Sequence, residues 1–475
     1  MLWRFWSKIA SMGDGFSDVI SRVWSATGMD DEAEAPLDEL TTTGPRAVLS
    51  SAFDVTGLAT ATVAAATLAA ARLLAARRAA PSLAVTVDSK AASAAFAAEG
   101  LFAPAGWAAP PLWDPIAGNY RATDGWIRLH TNYARHRAAV ERVLGANDRD
   151  TAQAAVQSRY AEEIESAVID AGGAAAVMHG RAQWLSSPPG AATAEASPVV
   201  VTERSSSGSD RLLNGGALPF DGVRVLDLTR VIAGPVATKF LAGYGADVLR
   251  IDPPGFEEVL SLLPETTLGK RTTALDLTAP ADRAIFEELL AGADVLVAGL
   301  RADALPGLGY DDQTLTRLNP ELTIASLDAY GWDGPWRNRR GFDSLVQMSC
   351  GIAADGAAAI GRNQPTPLPV QALDHATGWL LATAITRALT RKLTASSIAR
   401  LHASLIGTAN LLYSLPRPTE RPAQPDPEDF PFEDTDTAWG PARRVSLPGR
   451  IDGVRLHWAH QAGPLNRHPA TWTQQ

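Results

Sequence analysis

The chain has 475 residues, of which 46% are hydrophobic and 20% are charged. This composition is typical of a globular protein of roughly two to four domains, and a formal net charge of −10 excludes nucleic-acid binding through bulk electrostatics. The single cysteine, Cys350, excludes an intramolecular disulfide and a multi-cysteine zinc site. It suits a reducing compartment, so we expect a cytoplasmic protein.

The first predicted element is an amphipathic helix near the N-terminus. Its apolar residues recur at helical spacing, at Phe16, Val19, Ile20, Val23 and Trp24. We expect this face to dock on the protein itself, with attachment to a membrane surface as the alternative. The apolar run 58–71 is shorter than the roughly 20 residues of a membrane span, so no integral membrane association is expected.

Composition divides the chain into five segments. Residues 1–45 hold the helix and an acidic linker, and residues 186–218 form a linker rich in Ser, Gly, Ala and Pro. Between them, residues 46–185 contain long alanine-rich helices and a small mixed α/β domain. Residues 219–414 form the large domain, and residues 415–475 return along it as a C-terminal segment.

The large domain alternates strands and helices. Strands are predicted at 223–228, 247–251, 273–277, 295–300 and 322–327, and helices at 236–244, 279–291 and 312–318. Short, nearly all-apolar strands that alternate with helices predict a parallel sheet covered on both faces. The expected fold class is therefore α/β, with a doubly wound, Rossmann-like sheet and a smaller mixed α/β domain.

An internal repeat relates residues 51–102 to residues 372–413. Both segments contain a Thr-Gly pair, a long Ala/Leu helix, a break and a second apolar helix. Aligning the two Thr-Gly pairs puts Phe53 opposite Asp374, whereas a slip of one residue puts Asp54 there. The first copy therefore lacks a carboxylate at this position unless the slip occurs.

The usual cofactor motifs are absent. The sequence before Gly269-Lys270 has Pro264 where a phosphate-binding loop needs glycine, and no dinucleotide fingerprint follows the first strand. Histidines form only loose pairs without carboxylate or cysteine at metal spacing, so no metal site is expected.

An ordered series of short motifs is more specific. It comprises LDLTRVIAGP at 226–235, GADVLRIDPPG at 245–255, GKR at 269–271, ADVLV at 293–297, YGWDGP at 330–335 and GFDSLVQ at 341–347. The series resembles the family III CoA-transferases, which include formyl-CoA transferase, carnitine CoA-transferase and the bile-acid-inducible enzymes. Residues 124–127 and 171–184 resemble the small domain of that family, which normally follows the sheet domain, so the halves look permuted or duplicated.

The resemblance implies a catalytic aspartate at Asp374, before the turn into an alanine-rich helix. It would take CoA from an acyl-CoA thioester through an aspartyl-CoA intermediate and pass it to a free carboxylic acid, without a metal. The alternative role for Asp374 is to cap its helix. CoA, as a substrate, would contact Val231, Ile232 and Ala233 at its adenine end. Its phosphates would meet Lys270 and Arg301, which could instead be ordinary surface charges.

Two other functions remain open. An acyl-CoA lyase or racemase would use acid–base chemistry on the same fold, but the resemblance puts Phe342 where racemases need a histidine. A catalytically inactive CoA-binding homologue would explain the altered loop 298–303, in which only the arginine of the family pattern is kept. The expected partners are acyl-CoA and a carboxylic acid, and the expected assembly is a monomer or homodimer.

Overall fold

Six of the seven strands in the largest sheet run parallel. In chain order the strands are β1 (Val199–Ser205), β2 (Arg224–Leu228), β3 (Asp247–Asp252), β4 (Arg271–Ala274), β5 (Val295–Ala298), β6 (Thr323–Asp328) and β7 (Ser397–Ser404). Their spatial order is β4-β3-β2-β5-β6-β7-β1, and only β1 is antiparallel to its neighbour. The mixed α/β class with a parallel sheet is confirmed. The strand order reverses between β2 and β5, where such sheets bind ligands.

The computed structural model describes residues 15–29, 35–206, 216–423 and 425–473. Parts of both predicted linkers, 30–34 and 207–215, therefore lie outside the described residues, as do residues 1–14. The linker predicted at 186–218 is ordered over much of its length, because it contains the helix Pro188–Ala192 and strand β1. Burial does not alternate regularly along β1. Val199 at its start is buried, whereas its last four residues are exposed.

The strands form where apolar residues are continuous. All four residues of β5 are buried. The helix Ala233–Gly243 covers one face of this strand, and the helices Pro280–Ala291 and Asp312–Leu318 cover the other. The strand predicted at 273–277 instead spans Arg271–Ala274. It stops early because the Asp276 carboxylate accepts hydrogen bonds from the backbone and hydroxyl of Thr278, which closes a turn.

Two helices of 24 residues pack against each other in the core: the twin helix, Val55–Arg78, and the Asp374 helix, Ala372–Ala395. Each follows a residue of nearly identical backbone conformation, Asp54 (φ −76°, ψ 65°) and Gln371 (φ −75°, ψ 63°). The structural register thus sets Asp54 opposite Gln371 and Gly57 opposite Asp374. The two helices share their length and their flanking conformations, and their register differs from the predicted alignment of Phe53 or Asp54 with Asp374, because short motifs in alanine-rich helices do not fix the register.

The twin helix is the one described helix that is long and apolar enough to cross a membrane, and 94% of its most apolar stretch is buried inside the protein. The N-terminal helix Ser17–Ser25 also packs on this core through Val19, Ile20, Val23 and Trp24. Arg387 of the Asp374 helix donates hydrogen bonds to the carbonyl oxygens of Trp24 and Met29. Docking of this helix on the protein itself is confirmed.

A small antiparallel sheet builds a separate core. Its strands Gly118–Arg121, Trp126–Leu129 and Ala175–Val177 pack under three helices, Ala134–Leu144, Arg149–Gln157 and Ala161–Asp170. Two further three-stranded sheets complete the described chain, one formed by Leu40–Thr43, Val85–Asp88 and Arg450–Ile451, the other by Ala103–Pro104, Phe432–Thr437 and Gly440–Val445. Shorter helices are Ser89–Ala95, Ala98–Leu101, Arg181–Ser186, Leu263–Thr266, Ala304–Gly307, Asp343–Ser349, Ile352–Ala358 and Leu405–Ser414.

Candidate active site

Asp374 lies in the first turn of its helix and does not cap it. The cap is provided by Asp343, whose Oδ2 accepts hydrogen bonds from the backbone N–H groups of Leu373 (2.8 Å) and Asp374 (2.9 Å). No side-chain capping bond comes from the helix start itself. Asp343 therefore caps this helix, and the side chain of Asp374 is not needed as a cap.

Burial and like charge act together on Asp374. Its side chain is only 7% exposed, and desolvation, followed by the charges of Asp343 and Glu99, raises its pKa well above the ordinary value. Burial also raises the pKa of Asp343 to about 6, although two backbone N–H groups and the Gln347 amide donate to it and oppose the shift. Because these donors favour the charged form of Asp343, Asp374 is the acid of the two that holds a proton more readily.

His375, which follows Asp374 in the chain, contacts Glu99. Its Nε2 lies 3.0 Å from Oε2 of Glu99, and its ring stacks on Phe96 at a centroid distance of 5.3 Å. Glu99 lines the same cavity as Asp374. His375 therefore holds Glu99 in place at the cavity wall.

Asp374 lines two cavities at once. The first, here called the apolar cavity, has a volume of about 350 Å³, and the second, here called the arginine cleft, has about 290 Å³. Four residues line both: Tyr133, Val231, Phe342 and Asp374. A ligand that extends from one cavity into the other would pass the carboxyl group of Asp374.

The arginine cleft carries a concentrated positive charge in a protein that is negative overall. It is lined by Arg135, Arg230, Arg301, Arg339 and Arg340. Arg230 is bound by Asp252 and Arg339 by Glu165. Burial, together with the neighbouring charges of Arg301 and Arg135, lowers the pKa of Arg340. An anion in the cleft would relieve this repulsion.

The loop after β2 forms the floor between the cavities. Val231 has φ 66°, a left-handed conformation that is unfavourable for a β-branched residue and costs about 1–3 kcal/mol. Val231 lines both cavities, Ile232 lines the apolar cavity and Ala233 lines the arginine cleft. Ala233 also begins the helix Ala233–Gly243, so N-terminal backbone N–H groups are presented near the arginines. The structure brings these three residues to Asp374, and their contacts with adenine stay a prediction.

Of the two predicted phosphate ligands, only Arg301 lies in the cleft. Lys270 is fully buried, with its Nζ 3.0 Å from Oδ2 of Asp227 and 2.6 Å from Oγ1 of Thr238. Asp227 also accepts hydrogen bonds from the hydroxyl groups of Thr229 and Thr238. The structure therefore gives Lys270 a role in fixing the start of the Ala233–Gly243 helix and does not bring it to the phosphates.

The small domain supplies one wall of both cavities. Tyr133 donates a hydrogen bond to Glu258 (2.9 Å), and the ring of Phe342 stacks on His130 at a centroid distance of 3.7 Å. Burial lowers the pKa of His130 well below its ordinary value, so its ring is neutral. His130 therefore serves as an aromatic wall here.

Comparison with known proteins bears on the family of one segment of the chain. A family model described as CoA-transferase family III matches residues 220–429. This segment belongs to CoA-transferase family III. The family III segment contains Asp374, the loop after β2 and the arginine cleft residue Arg301, and the predicted resemblance is confirmed.

Each match covers only part of this chain and part of the relative. The chain is 34% identical over 186 residues to a "Probable fatty acyl-CoA transferase Rv3272" of Mycobacterium tuberculosis, covering 36% of this chain and 47% of that protein. It is 29% identical over 248 residues to a "Succinate--glutarate CoA-transferase" of Agrobacterium fabrum, covering 47% and 62%. It is 30% identical over 251 residues to a "Formyl-CoA:oxalate CoA-transferase" of Rhodopseudomonas palustris, covering 49% and 58%. The chain thus spans about half the length of the curated relatives it matches.

Sequence reasoning missed three kinds of site residue. Asp343 lies in the GFDSLVQ motif at 341–347, but only the fold brings it to the start of the Asp374 helix. Glu99 and Tyr133 come from the other half of the chain, about 275 and 240 residues away, without a local signal. The pair Arg339-Arg340, directly before the Gly341-Phe342-Asp343 motif, was the one visible sign of an anion site.

Proposed function

We propose that this protein transfers CoA from an acyl-CoA thioester to a free carboxylic acid, with Asp374 as the nucleophile. The observation that carries the proposal is the position of Asp374. It is buried, it is not needed as a helix cap, and it lines both an arginine-rich cleft and an apolar cavity. The family III segment supports CoA transfer as the reaction class.

The two cavities suit the two ends of an acyl-CoA. The phosphates of CoA are anionic, and the arginine cleft offers guanidinium groups that can bind phosphate with two hydrogen bonds each. The acyl group would enter the apolar cavity. The thioester then lies beside Asp374, at the junction.

The reaction balances without a further reagent. Asp374 first releases its proton to solvent. A carboxylate oxygen of Asp374 then attacks the thioester carbonyl carbon, the carbon–sulfur bond breaks, CoA departs as the thiolate, and an acyl–aspartyl anhydride remains. The thiolate attacks the aspartyl carbonyl carbon, which forms aspartyl-CoA and releases the first carboxylate. The acceptor carboxylate attacks aspartyl-CoA to give a new anhydride, and the thiolate takes the new acyl group, which regenerates Asp374.

The surroundings of Asp374 favour these steps. The backbone hydrogen bonds to Asp343 fix the first turn of the helix and hence the attacking carboxylate. Burial excludes water, which would hydrolyse both the anhydride and the aspartyl thioester. A poorly solvated carboxylate is also a stronger nucleophile once its proton has left.

The proposal is tested by trapping the intermediate. The protein is incubated with a panel of acyl-CoAs, quenched with hydroxylamine and digested with trypsin. Cleavage after Arg362 and Arg387 gives a peptide, residues 363–387, whose only carboxyl side chain is that of Asp374. Asp343 falls on the preceding peptide, residues 341–362, so the two acids are separated.

A hydroxamate on peptide 363–387 that is absent from Asp374→Asn supports the proposed nucleophile. A hydroxamate on peptide 341–362 would transfer the role to another acid and overturn this assignment. CoA binding without any adduct across the panel would indicate a binding protein without transferase activity.

A further inference from the structure

The apolar cavity is shaped by several separate parts of the chain that meet at Asp374. Its hydrophobic lining comes from the Ala98–Leu101 helix and its flanks, the small domain, the segment around Val259 and the C-terminal return segment, and includes Leu49, Leu101, Leu112, Val259, Leu262 and Phe430. Trp113, Tyr133 and Phe342 add aromatic surface. An alkyl or aryl group in this space would be removed from water on most sides.

Among the described residues that line the apolar cavity there is no lysine or arginine. The acidic groups there are the carboxyl groups of Glu99, Asp343 and Asp374. His130 cannot act as a cation, because its ring is buried between Phe342 and the small domain and burial lowers its pKa well below the ordinary value. A second negative charge in this cavity would have no partner and would be repelled.

The polar side chains of the cavity are already engaged. Asn132 donates to the carbonyl of Leu112 and accepts from the backbone of Asp114, and the Tyr133 hydroxyl donates to Glu258. Ser344 and Gln371 are the exceptions: the buried hydroxyl of Ser344 has no partner, and the Gln371 amide lines the cavity without capping its helix. Neither group carries a charge, so they do not compensate the desolvation of a carboxylate.

We infer that the acyl group carried by this protein is uncharged and hydrophobic, so that its substrates are monocarboxylic acids and their CoA thioesters. Dicarboxylates such as succinate or adipate are excluded because their second carboxylate would enter the apolar cavity. This inference rests on the proposed function, and it adds the substrate class to the reaction class.

The test compares substrates that differ only in the distal charge. Hexanoyl-CoA and adipoyl-CoA have six-carbon acyl groups that end in a methyl and a carboxylate, and butyryl-CoA and succinyl-CoA form the four-carbon pair. Binding of each is measured by calorimetry on the full Asp374→Asn chain, which cannot react. We expect the methyl-ended member to bind about 100-fold more tightly, because the buried carboxylate is uncompensated. Equal binding within both pairs would overturn the inference.

A cation placed in the cavity gives a second, independent readout. Leu112→Arg on the Asp374→Asn background should raise the affinity for adipoyl-CoA about tenfold or more while lowering that for hexanoyl-CoA. Leu112→Met keeps the volume without the charge and should preserve the original preference. If both variants keep the wild-type ratio, the cavity does not hold the acyl group and the inference fails.

Failure of this inference is distinguishable from failure of the proposed function. Trapped aspartyl adducts from succinyl-CoA as readily as from butyryl-CoA would leave the transferase in place and overturn the substrate class. Selective binding of hexanoyl-CoA with no adduct from any donor would support the substrate class and overturn catalysis by Asp374.

Discussion

Asp374 occupies a position that is unfavourable for an aspartate judged by stability alone. Burial removes water from its carboxyl group, and two acidic side chains lie nearby. Among the described residues, no hydrogen bond to this carboxyl group lowers its pKa. The opposite residue in the twin helix is Gly57, which avoids this cost. Retaining a carboxyl group under such conditions is typical of a catalytic position.

Replacing this carboxyl group should therefore stabilise the protein, in a pH-dependent way. The raised pKa means that the folded state holds the proton while the unfolded chain releases it above its ordinary value of 3.8. Stability is consequently lost as pH rises from that value through the raised pKa. Asp374→Asn should add about 1–3 kcal/mol to the unfolding free energy at pH 8 and much less at pH 5. Urea denaturation at both pH values measures this.

Asp54→Asn is the matched control at the start of the twin helix. The Asp54 carboxylate is bound by Arg46 at 2.7 Å and accepts from the backbone N–H of Gly57. Its replacement should reduce the stability or leave it unchanged at pH 8. A stabilisation of Asp374→Asn that is the same at pH 5 and pH 8 would contradict the explanation by charge.

The proposed nucleophile has a local sequence signal, whereas its environment has none. Asp374 stands in a local pattern of an aspartate before an alanine-rich helix. Asp343 and Glu99 reach it through the packing of helices that are distant in sequence. Their effect on the pKa depends on burial and on distances of a few ångström, which no local pattern encodes.

At the scale of elements, the groups proposed to bind CoA follow the carboxyl ends of parallel strands. The alternation of apolar strands and helices predicted the sheet and this edge correctly. Lys270 lies just before β4 and Arg301 just after β5, so the two residues occupy opposite ends of the parallel strands. Burial separates them: the side chain of Lys270 is fully enclosed beside Asp227, whereas Arg301 is exposed in the cleft.

Removing the Lys270 charge should destabilise the fold. Lys270→Met leaves Asp227 buried without its cation, which should lower the unfolding free energy by about 3–5 kcal/mol. Adding Asp227→Asn should recover a large part of this loss, since no isolated charge remains. Chemical denaturation of the two variants and the wild type measures both steps. A fully stable Lys270→Met would show that the ion pair does not hold the loop.

Removing the Arg301 charge should instead weaken CoA binding at constant stability. Arg301→Ala should raise the Kd for CoA about tenfold and leave the Kd for pantetheine, which lacks the phosphates, unchanged. Arg362→Ala, at an exposed residue that does not line the cleft, makes the same change in net charge and is the control. An equal loss of CoA affinity in Arg301→Ala and Arg362→Ala, measured by calorimetry, would indicate a general effect of net charge.

For the whole molecule, the two halves of the chain build one site. Glu99 and Tyr133 come from the first half, Asp374 and Arg301 from the family III segment, and Phe430 from the return segment. The sequence predicted that the two halves stand in an unusual order along the chain. The twin helix of the first half and the Asp374 helix of the second pack together in a common core, which joins the halves. The interface between the halves is therefore the place where the site forms.

One chain should consequently carry one complete site. Hydroxylamine trapping should yield one hydroxamate per chain, on peptide 363–387, because the twin helix has Gly57 at the position of the proposed nucleophile. Adduct formation per chain should stay constant on dilution, and light scattering should give the mass of one or two chains. A yield that falls with dilution would mean that a second chain completes the site. Asp54→Asn should leave the yield unchanged, which separates the twin helix from catalysis.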